Sequence, residues 1–229
     1  MKKKDKIGFQ GELGAYSHIA ALKLFPKAEI KACKTFDETF RLAAEDDNFS
    51  IIIPIENSLA GRVADIHYLL QKYKLQIHSE FFLEVEHNLL ACKGASIEKI
   101  KKVRSHGQAI SQCQKIIQKY NFEPIIAADT AGSAKYLSSN KDRTEGAIAS
   151  KLSAKIYGLQ VLKQNIEDES GNVTRFLVMA KEKIQPDYKS GKKYITSCIF
   201  RLKSIPSALY KCLGGFATNQ INLTKLESF

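Results

Sequence analysis

Two short runs hold most of the side chains in this sequence that can do chemistry, Pro54-Ile-Glu-Asn-Ser58 and Asn172-Val-Thr-Arg-Phe176. Between them they supply a carboxylate (Glu56), two amides (Asn57, Asn172), two hydroxyls (Ser58, Thr174) and a guanidinium (Arg175). That set can hold a small molecule with more than one carboxylate and bring a proton to it. Arginine is planar and bidentate, which makes Arg175 the default carboxylate clamp. Arg175 follows Thr174 directly, however. Neighbours in a strand face opposite sides, so one of the two is expected to be structural. A threonine hydroxyl is a poor acid at neutral pH and serves best as an orienting donor or relay. Glu56 serves as the acid if burial lifts its pKa toward neutrality. The residues leave that choice open. Plainer readings exist for each: a β-branched strand residue for Thr174, a helix N-terminal acid for Glu56, turn and cap residues for Asn57 and Ser58.

The elements that must position these runs alternate between strand and helix from residue 7 to about 180. Lys6 to Phe9 reads as a strand and Ser17 to Phe25 as a helix stopped by Pro26. Thr35-Phe-Asp-Glu38 has the capping-box pattern and opens a helix through about Ala44. Phe49 to Ile53 is a short apolar run, as in a strand buried on both faces. Arg62 to Lys72 is helical by period, Leu75 to Ala91 forms one or two strands, and Ile100 to Arg104 a strand. Further on come a helix over Gln108 to Tyr120, a strand over Phe122 to Ala127, a helix from near Thr130, and a strand over Gly146 to Ala149. A helix over Lys151 to Tyr157 is ended by Gly158, and a strand over Thr174 to Ala180 closes the series. Such alternation implies an α/β architecture with mostly parallel sheets. Ser105, Gln108 and Thr130 then sit with Asn57 and Ser58 at strand-end turns, where α/β proteins place ligands.

Residues 181–193 are rich in Lys, Gln, Pro, Asp, Ser and Gly and read as a linker. Beyond it, Tyr194 to Leu202 reads as a strand, Pro206 to about Phe216 as a helix and Gln220 to Leu226 as a second strand. So short a β-α-β piece can hardly bury a core alone.

Composition removes several classes of function. The chain has 229 residues, 44% hydrophobic and 26% charged, the profile of an ordinary soluble protein. It contains no apolar run near the roughly 20 residues of a membrane helix, and no signal peptide is read at the N-terminus. The net charge of +11 comes mostly from lysines spread along the whole chain, with no arginine-rich helix and no zinc-finger spacing. Nucleic acid is therefore not an expected partner. Cys33, Cys92, Cys113, Cys198 and Cys212 are odd in number and far apart, which fits reduced, buried thiols in a cytoplasm and neither a disulfide framework nor a zinc site. No P-loop, paired metal-ligand histidines or full dinucleotide fingerprint is present, so no cofactor or metal is expected.

In their order, the motifs resemble the prephenate dehydratase family. Gly8-Phe-Gln-Gly-Glu-Leu-Gly-Ala-Tyr-Ser17 resembles its Gly-Pro-x-Gly-Thr-Tyr-Ser run, departing at the proline and threonine positions. Pro54-Ile-Glu-Asn-Ser58 fits fully. Ser105-His-Gly-Gln-Ala109, with Gln112-Cys113, resembles Ser-His-Pro-Gln-Ala, with Gly107 in place of proline. Asp129-Thr-Ala131, Ala147-Ile-Ala-Ser150 and Tyr157-Gly-Leu159 follow, then Ile166-Glu-Asp168 and a full match at Asn172-Val-Thr-Arg-Phe176. Together these cover about three quarters of the chain.

The resemblance implies a catalytic domain over residues 6–181, built as two lobes like a periplasmic binding protein. One lobe would take residues 6–79 and 163–181, the other 80–162, with the site in the cleft between them. The implied reaction turns prephenate into phenylpyruvate, water and carbon dioxide in phenylalanine synthesis. Thr174 would bond the leaving oxygen, with Glu56 as the alternative acid. Ser17, Asn57, Ser58, Ser105, Gln108, Thr130 and Arg175 would hold the substrate. The tail resembles the start of a ferredoxin-like ACT regulatory domain over 194–229, cut short. Ala208, Leu209, Glu227 and Ser228 would be its phenylalanine contacts, so feedback is expected to be weak or absent. A monofunctional homodimer is expected by analogy. The rival readings are an arogenate dehydratase, which needs an acceptor for an ammonium, and a non-catalytic small-anion binding protein on the same scaffold.

Overall fold

Apolar β-branched runs in this chain become strands, and the polar turns after them open helices. A computed structural model describes residues 6–183, 187, 189–192 and 194–228. The chain divides into two units, residues 1–184 and 185–229.

The first unit opens with β1 (Lys6–Gln10), α1 (Tyr16–Leu24), β2 (Glu29–Cys33), α2 (Phe36–Glu45), β3 (Phe49–Asn57), β4 (Gly61–Arg62), α3 (Ala64–Tyr73) and β5 (Gln76–Glu84). It continues with β6 (Asn88–Ala91), β7 (Lys102–His106), α4 (Gly107–Ser111), α5 (Gln114–Tyr120), β8 (Glu123–Ala127), α6 (Thr130–Asn140), β9 (Glu145–Ala149), α7 (Lys151–Tyr157), β10 (Gln160–Lys163) and β11 (Val173–Ala180). The capping box forms: Thr35 Oγ1 accepts from Glu38 N at 3.1 Å, while Glu38 Oε2 accepts from Lys34 N at 2.8 Å.

Two sheets result, so the two-lobed α/β architecture is as expected. The first has strand order β2-β1-β3-β11-β5, with β4 beside β3, and the second β10-β6-β9-β7-β8. In the first, one apolar cluster joins Phe40, Ile51, Ile53, Ile66 and Leu177 under α2 and α3. The other face holds Ile7, Phe9, Ala20, Ile52 and Phe176 under α1. The second lobe packs Leu89, Val103, Ile117 and Ile148 in one cluster and Leu90, Leu137 and Ala147 in another.

Several expectations need correction. The sheets are mixed rather than mostly parallel: β11 runs antiparallel to both β3 and β5, and β6 antiparallel to both β9 and β10. The antiparallel members are the strands that carry the chain between lobes. The first crossing follows Glu84, because β5 stays paired with β11 to its end. β2 and β10 carry too few apolar residues to be read as strands. The helix expected over Gln108 to Tyr120 is broken at Gln112 and Cys113.

In the second unit, α8 (Ala208–Thr218) forms close to where a helix was expected. The strands expected over 194–202 and 220–226 do not form among the described residues, and none of these is buried. Ile195, Ile199, Tyr210 and Ile221 are all at least half exposed, so this segment has no core to hold a sheet. Ala208 and Leu209 open α8. Glu227, paired with Lys225 at 3.2 Å, and Ser228 lie outside regular structure. Cys33, Cys92 and Cys113 are buried as expected, whereas Cys198 is exposed and Cys212 partly so.

Candidate active site

The two runs that opened the sequence analysis lie side by side on antiparallel strands. Ile53 faces Leu177 and Pro54 faces Phe176; the register then shifts, so that Glu56 faces Arg175 and Asn57 faces Thr174. Ile55 is the extra residue of a β-bulge. Opposed residues in an antiparallel pair project to the same side. Asn57 and Thr174 therefore share the face packed by α1, and Glu56 and Arg175 share the other.

This geometry corrects two expectations. Glu56 is not beside the Thr174 hydroxyl, because the bulge leaves it on the opposite face. Arg175 is not an open clamp either. Its Nε and Nη2 donate to Glu80 Oε2 at 2.8 and 2.7 Å, on the face away from Thr174. Of the two adjacent residues, the arginine is the one the fold ties down.

Thr174 is 9% exposed, and its Oγ1 accepts from Asn57 Nδ2 at 3.0 Å. The same Nδ2 donates to Asn172 Oδ1, so both amide hydrogens of Asn57 are used. Its Oδ1 accepts from Leu59 N at 3.0 Å and Ala60 N at 2.8 Å, the turn-making habit of asparagine. Ser58 stitches the strand ends together: its N donates to Val173 O at 2.8 Å and its Oγ accepts from Val173 N at 2.9 Å. The proton of the Thr174 hydroxyl has no acceptor among the described residues, which leaves it for a ligand.

From Asn172 the contacts cross into the second lobe. Asn172 Nδ2 donates to Gln112 Oε1 at 2.8 Å, His87 Nε2 lies 3.0 Å from the same oxygen, and Tyr16 Oη lies 2.9 Å from His87 Nδ1. Gln112 is free to turn inward because the helix breaks there. Asp168 caps the restart, its carboxylate accepting from Gln114 N and Lys115 N at 2.8 and 2.9 Å, while its own N donates to Gln112 O at 2.7 Å. His87 and Asn172 lie on the two segments that join the lobes. Burial lowers the His87 pKa below its ordinary value, which outweighs the opposing contacts of Gln112 and Glu167. Burial raises that of Tyr16 well above its ordinary value, with Cys113, Glu167 and Glu86 adding to the shift. At neutral pH the imidazole is therefore neutral and the phenol protonated.

The sequence reading did not single out His87, Gln112 or Tyr16 as site residues, and it used Asn172 only as part of a run. The helix break was the missing signal, for a continuous helical period over 108–120 gives Gln112 no special place.

The other expected residues are distributed as follows. Ser105 is fully buried and donates to Ile148 O at 2.7 Å, inside the second lobe. Gln108 is exposed in the first turn of α4, and Thr130 opens α6 behind its Asp129 cap. Ser17 is buried in the first turn of α1. Gln108, Thr130 and Ser17 follow the C-terminal ends of parallel strands, where helix N-termini favour an anion, whereas Ser105 lies within β7. The loop between β1 and α1 is held from the second lobe. Gly14 O accepts from Ser150 Oγ at 2.6 Å and Ser153 Oγ at 3.0 Å, and Leu13 O from Tyr157 Oη at 2.9 Å. Gly14 N donates to the buried His18 Nδ1 at 2.9 Å.

Among the described residues no His, Cys, Asp and Glu cluster could hold a metal, and no helix is long and apolar enough to cross a membrane. A cavity of about 600 Å³ is lined by Gln10, Thr35, Phe36, Asp37, Tyr68 and Leu69, and includes none of the residues from Thr174 to Tyr16.

Comparison with known proteins follows the same outline. A family model described as prephenate dehydratase matches residues 7–184. Arogenate dehydratase 2 of Petunia hybrida is 42% identical over 223 residues, which are 97% of this chain and 56% of that protein. A bifunctional N-acyl-homoserine lactone acylase/prephenate dehydratase of Komagataeibacter europaeus is 37% identical over 225 residues, 97% of this chain and 79% of that protein. A prephenate dehydratase from Arthrobacter aurescens, solved in complex with L-Phe, has the same fold. It superposes with a TM-score of 0.85 at 24% identity, covering 98% of this chain and 76% of that one. The chain spans little more than half the length of the plant relatives it matches.

Proposed function

The chain belongs to the prephenate dehydratase family, and from that premise we propose that it converts prephenate into phenylpyruvate, water and carbon dioxide. The ring carboxylate leaves as carbon dioxide and its bonding electrons enter the ring. The ring hydroxyl leaves as water, and one proton is consumed. Aromatisation supplies the driving force, so the protein's task is to orient the leaving oxygen, donate to it and exclude water.

One observation carries the assignment of Thr174 as donor. Its Oγ1 already accepts from Asn57 Nδ2 at 3.0 Å, and its own proton is uncommitted. Negative charge that builds on Oγ1 as the proton moves toward the leaving oxygen meets a donor in place beforehand, which is how fixed dipoles lower such barriers. The position of Glu56 on the opposite face favours Thr174 over the carboxylate as the group at the leaving oxygen. Gln108, Thr130 and the helix N-termini around them are proposed as the uncharged donors for the substrate carboxylates, whereas the Ser58 hydroxyl donates to Gly171 O at 3.3 Å. Residues 194–228 are proposed as the beginning of a regulatory module, on the strength of the sequence resemblance alone.

The test is turnover of prephenate, followed as phenylpyruvate absorbance in alkali, with arogenate assayed in parallel. Thr174→Val is expected to lower kcat by about 10²–10⁴-fold while prephenate still binds. Faster turnover of arogenate would move the assignment to the aminated substrate. Binding of prephenate without turnover in the wild-type protein would make the chain a binding protein.

A further inference from the structure

The directions of the hydrogen bonds between Thr174 and His87 are fixed from one end. Backbone amides can only donate, so Leu59 N and Ala60 N require the oxygen of the Asn57 amide to face them. Its nitrogen then faces Asn172 and Thr174, and the Asn172 oxygen must face that nitrogen. The Asn172 nitrogen is left for Gln112, whose oxygen must receive it at 2.8 Å. That same oxygen faces His87 Nε2 at 3.0 Å, so Nε2 must carry a hydrogen. A neutral His87 then has a bare Nδ1, which faces the Tyr16 hydroxyl at 2.9 Å; that hydroxyl also donates to Glu86 O at 2.7 Å, so its one proton is shared between the two acceptors. No amide in the series can be turned over without setting two donors or two acceptors against each other. Amides neither release nor take up protons under these conditions, so the chain orients groups and conducts nothing.

We propose that His87, in its Nε2–H form, is a positioning residue for the reaction. By holding the Gln112 oxygen from the second lobe, it fixes Asn172, Asn57 and, through them, the Thr174 hydroxyl. The proposal rests on the reading of Thr174 as the donor to the leaving oxygen. His87 is suited to the task by its place. It is 3% exposed, lies on the crossing between β5 and β6, and its backbone is pinned by Glu167 Oε2 to N at 2.9 Å and by Ile166 N to O at 2.9 Å. The geometry also tolerates charge on the ring. The groups that face His87 are Tyr16, Gln112 and the carboxylates of Glu167 and, beyond Tyr16, Glu86. If the ring gains a second proton, Nδ1 becomes a donor to Tyr16 Oη, whose own proton then serves Glu86 O alone, 2.7 Å away. Nε2 keeps its hydrogen in both states, so the orientation of Gln112 does not change with pH.

Two measurements on the full chain test this. The first is ¹⁵N–¹H correlation spectroscopy of the imidazoles at neutral pH, assigned with His87→Gln. It is expected to show His87 protonated on Nε2 alone, and a ring protonated on Nδ1 alone would overturn the proposal. The second is steady-state kinetics. His87→Ala is expected to lower kcat on the order of 10- to 100-fold with KM little changed. His87→Gln, which can place an amide N–H where Nε2–H was, is expected to recover most of the loss. Should His87→Ala not fold, His87→Gln and Tyr16→Phe decide. The first is expected to stay within several-fold of wild type and the second, which removes the group that holds the ring from its Nδ1 side, to lose kcat. Full kcat in a folded His87→Ala protein, or a His87→Gln protein as impaired as a folded His87→Ala protein, would overturn the role while leaving the function intact. A wild-type protein that turns over neither prephenate nor arogenate would instead overturn the function, and this role with it.

Discussion

At the scale of single residues, Asn57 separates two tasks that one side chain performs. Its oxygen builds the turn at Leu59 and Ala60, and its nitrogen serves Thr174 and Asn172. Asn57→Asp keeps the first and loses the second. It is expected to fold with an unchanged circular dichroism spectrum and to lower kcat by about 10²–10³-fold, the usual cost of removing one placed donor. Arg175→Ala makes the opposite case. Its partner is the part-exposed Glu80, so the expected cost is up to about 1 kcal/mol in urea unfolding, with kcat changed little. The two buried imidazoles set a pH dependence. Burial holds both His18 and His87 below the ordinary value, so the unfolded chain takes up protons first as the pH falls. Stability is then complete above about pH 6.5 and declines below it, toward the folded-state values. Loss of the His18 Nδ1 acceptor for Gly14 N acts in the same direction. Urea midpoints measured on either side of the imidazole range check the sign, and a midpoint that rises on acidification would refute it.

Among the elements, what was legible in the sequence followed from period and punctuation. The Thr35 cap, the Pro26 stop and the left-handed Gly158 each mark a boundary by a local rule, and the structure places elements there. The strand carrying Thr174 was equally readable; the other was read only as far as Ile53, with Asn57 in the turn beyond it, whereas β3 runs on to Asn57. Which of their residues share a face was not. Strict alternation along β3 puts Asn57 with Ile51, Ile53 and Ile55, away from Thr174. The bulge at Ile55 moves it across, and nothing in the local residue types announces a bulge. The break between α4 and α5 escaped for a related reason: its cap, Asp168, lies far along the chain and meets α5 only after folding. Gly14 is the sharpest local constraint in the β1–α1 loop. Its φ is +94°, and a Cβ there would sit 2.5 Å from Ser153 Oγ and 2.8 Å from Ser153 Cα. Gly14→Ala is expected to cost about 1–3 kcal/mol and to loosen the hold of α7 on the loop. Chemical denaturation would read the first effect and proteolysis within residues 11–15 the second.

On the scale of the molecule, the first unit contains all four apolar clusters and every contact of the candidate site. A chain ending at residue 184 is therefore expected to fold and to keep the kcat of the full chain. A lost melting transition in that truncated protein would show that its stability depends on the tail. None of the described residues of the tail is fully buried, so millimolar phenylalanine is expected to leave turnover nearly unchanged. Clean inhibition would refute this.

The position of β11 also governs how such a chain is made. It lies between β3 and β5, yet among the strands of the described residues it is the last to leave the ribosome. Until residue 180 emerges, β3 and β5 have no shared partner and present apolar edges of the kind that aggregate. The second lobe is continuous in sequence, from Asn88 to Lys163, and can close first. Synthesis therefore runs through a stage with one finished lobe and one open sheet. The strand that ends this stage carries Thr174, so the first lobe is completed by the same event that brings the Thr174 hydroxyl beside Asn57.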